Sequence, residues 1–392
     1  MPKLHPPLAL LTSAVLLLSC AVPANAEEPR SYSPGELYTY AEKAVSYERE
    51  LFGAAQGESI FRSSLTQQAG TDYADWIAVG ISRLGLSEDY DRYYSAWVRA
   101  AEEPPKKATD GERAVLVCLA VGGDPTDAEG WDILSREVFC RQSDPAEQGL
   151  NGTIWALIAA DSLDWAEPPE TVYSRDYLLS QLTSAQNPDG GFSLSPGGQS
   201  EPDLTAMALQ ALSPYQKEQS QSVSQALGFL EQCCADGGEL SCETTAQIII
   251  ALCCLGIRES GQLDIRELTE QLISYSCPDG GFKHLLTDRS PDPSATAQAV
   301  LAIAALIRLE KNLPPVYYFG EDLPPADGIH GRNTSGQGYI FDIMNETEVA
   351  VSREKAAPKK QHKPLSPALP AAAAVLIAGT SALMIRRKHH ER

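Results

Sequence analysis

An all-α ring of six helical hairpins, an α6/α6 toroid, is the fold this sequence predicts, on three observations. A ten-residue helical pattern recurs six times, amphipathic helical segments alternate with it, and an Asp-Gly-Gly turn stands between the later pairs. Recurrence at a spacing of 39 to 52 residues marks stacked supersecondary units that bury their apolar faces on one another.

Three copies align without gaps: DLTAMALQAL (203–212), ETTAQIIIAL (243–252) and SATAQAVLAI (294–303). NGTIWALIAA (151–160), ERAVLVCLAV (112–121) and DYADWIAVGI (72–81) join them. Their first column is Asp72, Glu112, Asn151, Asp203, Glu243 and Ser294. Most of these are N-cap types, and acidic side chains suit the positive end of a helix, so capping is the expected role. The third column runs Ala74, Ala114, Thr153, Thr205, Thr245, Thr296. The ninth is uniformly small: Gly80, Ala120, Ala159, Ala211, Ala251 and Ala302. Small residues let helices approach closely, and the nearly all-round apolar character marks an inner, buried layer.

The outer partners are the amphipathic segments 177–186, 223–234 and 268–277, with further candidates near 37–52, 90–103 and 131–142. Six pairs give twelve helices. The corners QNPDGGF (186–192) and CPDGGF (277–282), with a worn copy ADGGEL (235–240), place glycine where the backbone must turn sharply. Phe192 and Phe282 are expected to fold back as staples. An open solenoid would need polar-faced capping repeats at both ends; none is clear, so closure is preferred.

The ends read differently. Residues 1–26 carry an apolar run from Leu8 to Leu18 and close on Ala24-Asn25-Ala26, the pattern of a cleaved secretory signal. A lipoprotein box at Leu17-Leu18-Ser19-Cys20 ranks second. The toroid is assigned to 27–315, an aromatic, Gly-rich lid segment to 316–349, and a Lys/Pro-rich stalk to 350–364. Residues 365–385 hold no charge and are long enough for a transmembrane helix; 386–392 form a basic tail, which by the positive-inside tendency stays in the cytoplasm. The expectation is a single-pass plasma-membrane protein with its toroid outside. Net charge is −21; since 350–392 hold nine Lys/Arg against two Glu, residues 1–349 carry −28. So acidic a body repels nucleic acid.

QNPDGGF followed by the Asp-x-Thr-Ala helix resembles the prenyltransferase and squalene-cyclase repeat family, whose members are α/α toroids. The likeness runs through Gln186, Gly190, Gly191 and Phe192, and again through Asp279, Gly280, Gly281 and Phe282, with Phe where the family usually has Trp. It is good over about 170–310 and implies the fold far more than a chemistry. Against the activities the resemblance raises, the sequence lacks the D-x-D-D of alkene-protonating cyclases, the D-x-C of zinc prenyltransferases, and C-G-E-Q. With only His284 and His330 between signal and stalk, no metal site is expected. Neither is a G-x-S-x-G nucleophile present. No catalytic residue and no cofactor is assigned.

The site candidates therefore line the expected cavity or its mouth. Tyr73, Trp76 and Trp155 could face the axis and suit an apolar ligand, although ordinary core packing explains either Trp alone. Asp72 with Asp75, Asp203, Glu243 and Asp292 could stand round one mouth as a carboxylate ring, although helix capping already explains most of these positions. Eight cysteines follow the signal; in an exported chain disulfides come to mind first, with Cys233 or Cys234 to Cys242 as a candidate, and Cys253 and Cys254 as core. The function expected is a membrane-anchored surface module for ligand binding or interaction, a small hydrophobic ligand such as an isoprenoid or, by resemblance to cobalamin-carrying toroids, a corrinoid being conceivable. The alternative is an enzyme on prenyl or glycan substrates that uses carboxylates at the mouth.

Overall fold

The computed structural model describes residues 29–101, 105–235 and 240–320. The expected signal, stalk, transmembrane helix and basic tail lie outside the described residues, as does 321–349 of the lid segment. Among the described residues no helix is long and apolar enough to cross a membrane.

Six inner helices carry the repeat: α2 (Asp72–Arg83), α4 (Ala108–Ala120), α5 (Leu150–Ala160), α7 (Pro202–Leu212), α9 (Cys242–Leu255) and α11 (Pro293–Glu310). Each packs on the next in chain order, and α11 packs back on α2, which closes the ring. They are buried all round, as their composition requires: every residue of α11 from Ala295 to Arg308 is buried. The small ninth column is used at the closing contact. A Cβ on Gly80 of α2 would lie 3.0 Å from Val300 Cγ1 of α11.

The outer layer comprises α1 (Pro34–Leu51), α3 (Tyr90–Ala101), α6 (Arg175–Ser184), α8 (Ser220–Ala235) and α10 (Ile265–Ser274). Their burial has the spacing of one helix face. In α10 it falls on Ile265, Leu268, Thr269, Leu272 and Ile273, beneath an Asp264 cap that accepts from Arg266 N–H. In α1, Ser33 and Glu36 form a reciprocal capping box with Pro34 in the first turn. The sixth outer helix expected near 131–142 is cut short: helical backbone runs only over 133–139, most of it a π turn, Ser135–Phe139. Gly122, Gly123, Pro125, Gly130 and Pro145 break the surrounding chain. The Phe139 carbonyl is also taken by the Val172 and Tyr173 N–H groups, so that backbone serves the neighbouring loop.

The two complete corners are built alike. Asn187 N–H donates to Gly191 O and Gly190 N–H to Asn187 O; Cys277, Gly281 and Gly280 repeat both bonds. Asp189 and Asp279 each accept from the N–H two residues on. Gly190 (φ +89°) and Gly280 (φ +97°) sit where L side chains are disfavoured. A Cβ on either would also strike backbone, the Gln225 carbonyl of α8 for Gly190 and the Lys43 carbonyl of α1 for Gly280. Thus α1 takes the place on the last corner that α8 takes on the earlier one, and the first hairpin completes the last. Gln186 fastens the earlier corner by donating to Gly190 O (2.8 Å) and Ser222 O (2.9 Å).

The third column acquires a reason here. Thr205 Oγ1 accepts from Phe192 N–H (2.9 Å) and donates to Glu201 O, while Thr296 does the same for Phe282 N–H (2.8 Å) and Asp292 O. Each threonine latches a corner to the inner helix behind it, and both phenylalanines are wholly buried. The first column, by contrast, does not cap. The N-caps are Thr71, Lys107, Gly149, Glu201, Ser241 and Asp292, one or more residues earlier. Pro202 and Pro293 fill first-turn positions and push the helix start ahead of the aligned block. All eight described cysteines are free thiols, so the expected Cys233 or Cys234 to Cys242 bridge is not formed. Cys242 is buried in the first turn of α9 and its Sγ bonds to Ala295 O of α11.

Candidate functional site at the N-terminal mouth

The inner helices run in one direction. At their starts Arg113 of α4 reaches Asp72 and Asp75 of α2; at their ends Ser82 of α2 donates to Ala120 O of α4, and Arg308 of α11 to Arg83 O of α2. The ring therefore has an N-terminal and a C-terminal mouth.

The C-terminal mouth is stopped by the chain after α11. Arg308 Nε donates to Pro314 O (2.7 Å), Arg83 Nη2 to Tyr318 O (2.9 Å), and Phe319 N–H to Ser162 O (2.8 Å). The Arg83 guanidinium lies 4.4 Å over the Phe319 ring. Between these ties the Tyr317 ring enters the hub and meets Trp155 edge-on at 5.5 Å and Trp76 at 6.2 Å. Trp76 and Trp155 come from helices that are not neighbours in the ring, yet their rings touch at 4.9 Å. Both face the axis. The same register of the other copies carries Leu116, Met207, Gln247 and Gln298. Gln247 accepts from Gln210 and donates to Gln298 (2.7 Å), a buried amide chain across three helices.

Tyr73 faces elsewhere. Its ring packs on Phe52 (5.6 Å) and its hydroxyl donates to Glu48 of α1, so it belongs to the seam between first and last hairpins and not to the axis. Tyr73 stands three residues before Trp76, about 60° round the helix and nearly one turn closer to its start, where α1 is its neighbour. Glu48 is buried, and burial pushes its carboxyl up to about 8, with the Asp292 charge adding and the Tyr73 hydroxyl opposing.

At the N-terminal mouth the carboxylates are occupied. Asp75 is fully buried and accepts from Arg113 Nε (3.0 Å), Tyr93 Oη (2.9 Å) and Gly70 N–H (3.0 Å). Burial raises its pKa against the pull of Arg113. Asp72 and Asp110 hold the same guanidinium. Glu243 Oε2 meets His284 Nδ1 at 2.8 Å; burial raises the Glu243 pKa, the imidazole opposes, and Asp292 adds to the rise. Asp292 caps α11 by accepting from Ala295 N–H (3.0 Å). Asp203 is raised by burial, with its own N–H and that of Leu204 opposing. Glu112 has left the mouth altogether: it is wholly buried on α4, within reach of the Arg141 and Glu137 charges.

Above the tryptophan pair a cleft opens, walled by Asp72, Lys107, Thr109, Arg113, Asn151, Trp76 and Trp155. It offers about 20 Å³, the room of about one or two waters. Of these residues the sequence marks the two tryptophans and Asp72. Asn151 stood in the first repeat column, but Lys107 and Thr109 precede their aligned block and carry no pattern of their own. Among the described residues no group of three or more His, Cys, Asp or Glu is placed to hold a metal ion.

The family model for the prenyltransferase alpha-alpha toroid domain matches residues 141–319. Residues 141–319 carry that family's toroid domain. The match begins just before α5 and covers the hairpins with the best corners; the earlier hairpins complete the same ring with a weaker signature. No curated protein matches the chain.

Proposed function

We propose that this toroid is a membrane-tethered surface interaction module that binds without catalysing, with the N-terminal mouth as its working face. One observation carries the reading: the hub beneath that mouth is occupied by Trp76, Trp155 and, from the opposite mouth, Tyr317. A carrier or a reaction chamber encloses its ligand in a concave, preformed space. Here packed rings stand on the axis and the mouth carboxylates are tied to Arg113, His284 or a helix start. The uncharged run 365–385 followed by basic residues supports the tether.

An isoprenoid or a corrinoid would have to displace Tyr317 to enter. Titration with geranylgeranyl diphosphate and with a corrinoid, followed by tryptophan emission, is expected to give no saturable change; a saturable quench lost in Tyr317→Ala and Trp155→Phe overturns the reading. The tether is checked on intact cells with a membrane-impermeant maleimide aimed at the partly exposed Cys140 thiol. Labelling only after lysis would exclude surface display. The enzyme reading is favoured by the Glu243–His284 contact, a partly buried acid beside a base. A hydrolytic or prenyl-transfer activity abolished by Glu243→Gln with unchanged stability would establish it.

A further inference from the structure

We propose that α1 is a pH-operated clasp: as pH rises past neutrality it comes away from the seam as a unit, while the six inner helices stay closed behind it. The inference goes beyond the proposed function and does not depend on which mouth is the working face.

The first ground is how α1 is joined. Its burial is a one-sided stripe, Leu37, Tyr38, Ala41, Ala44, Val45 and Glu48, whereas the inner helices are buried all round. It packs on α11 and roofs the last corner, where the Lys43 carbonyl lies against Gly280 and the Tyr47 ring against Gly281. Ring closure itself is made by α11 on α2, so it does not need α1. The stretch 52–71, with two short 3-10 turns, leads from α1 to α2 and can serve as the hinge. An element held by one face beside such a connection belongs to the low end of the range of local opening free energies.

A second ground is the acid sealed in that stripe. Glu48 is 1% exposed, and among the described residues no Lys, Arg or His pairs with it. Arg49, beside it in sequence, turns instead to Glu88, and Tyr47 turns to the corner. The groups that face Glu48 are the Tyr73 hydroxyl of α2, which donates to Oε2, and the Asp292 carboxylate that caps α11. A single hydroxyl compensates a buried charge poorly and a second carboxylate repels it, so Glu48 ionises readily only once α1 has lifted into water. Burial accordingly pushes the docked carboxyl up to about 8, with Tyr73 opposing and Asp292 adding. The solvated carboxyl ionises near the ordinary 4.5, so between these values the docked helix keeps a proton that the lifted helix has lost. Rising pH therefore favours lifting, and acid favours docking.

The test is hydrogen exchange of the full chain at pH 6.0 and 7.5, each amide corrected for the intrinsic exchange of unstructured peptide, in the parent, Glu48→Gln and Glu48→Leu. Amides of α1 read the clasp, and those of α9, separated from α1 by α11, read the whole ring. In the parent the α1 opening constant is expected to exceed that of α9 and to rise about twentyfold between the two pH values. In both variants, which carry no ionisable group there, it should change by less than about twofold. One opening constant shared by α1 and α9 would show that the seam opens only with the whole ring, and would overturn the clasp. A parent rise below about fivefold, or a rise in either variant equal to the parent's, would overturn it as well. The parent's own profile decides the matter even if one variant fails to fold.

Discussion

Replacing Glu48 by glutamine is expected to make the toroid less sensitive to rising pH. Glu48 lies on α1, sealed where the first hairpin meets α2 and α11, with Tyr73 donating to one carboxyl oxygen and the other unpartnered among the described residues. Its folded pKa is about 8, against the ordinary 4.5. For an acid with a raised folded pKa, the unfolded chain gives up its proton first, so unfolding is favoured increasingly between these two values. No penalty exists below about pH 4; it grows through neutrality and levels off above about pH 8. At about 1.4 kcal/mol per unit, it amounts to about 1 kcal/mol at pH 5 and about 4 kcal/mol at pH 7.5. An amide in this position cannot ionise, so Glu48→Gln removes the pH-dependent part whatever constant offset the new side chain introduces. Urea unfolding of parent and variant at pH 5.0 and 7.5, followed by tryptophan emission, measures the difference. The variant should gain about 3 kcal/mol on the parent between the two pH values. A parent and variant whose stabilities change in parallel would show that Glu48 is ionised in the folded seam, and the reasoning from burial would fail.

Arg113→Met strands the fully buried Asp75 without its guanidinium and should cost about 3–5 kcal/mol, seen as a large drop in thermal midpoint. Thr296→Val keeps the shape but leaves the buried Phe282 N–H without its acceptor, for a loss of about 1–3 kcal/mol by denaturant titration. Gly280→Ala meets both a positive φ and the Lys43 carbonyl, so it should destabilise by more than about 1 kcal/mol and raise hydrogen exchange along α1 first. Unchanged exchange in α1 would mean that the last corner does not hold the first helix.

The family signature was legible because its residues act locally. A turn at φ near +90° needs glycine wherever it occurs, and an inner helix needs small or apolar residues on every side, so both leave marks along the chain itself. The ring's closure was inferred from the same repeat, and Gly80 against Val300 is where it is realised. The axis-facing tryptophans were legible for the same reason, since a shared register places them on one face. Helix starts were misplaced by a residue or more, because aligned blocks reveal equivalence and not which backbone group first lacks an acceptor.

Read along the chain alone, the repeat is already there: six inner helices, glycine corners, and an acidic body with one apolar run near its end. It took the closed ring to put Tyr317 in the hub, to turn Tyr73 towards Glu48, and to bring Lys107, Thr109 and Asn151 into one cleft. The physical reason is sequence distance. Tyr317 meets Trp76 from the other end of the described chain, and no local pattern encodes a contact between groups that only closure brings together.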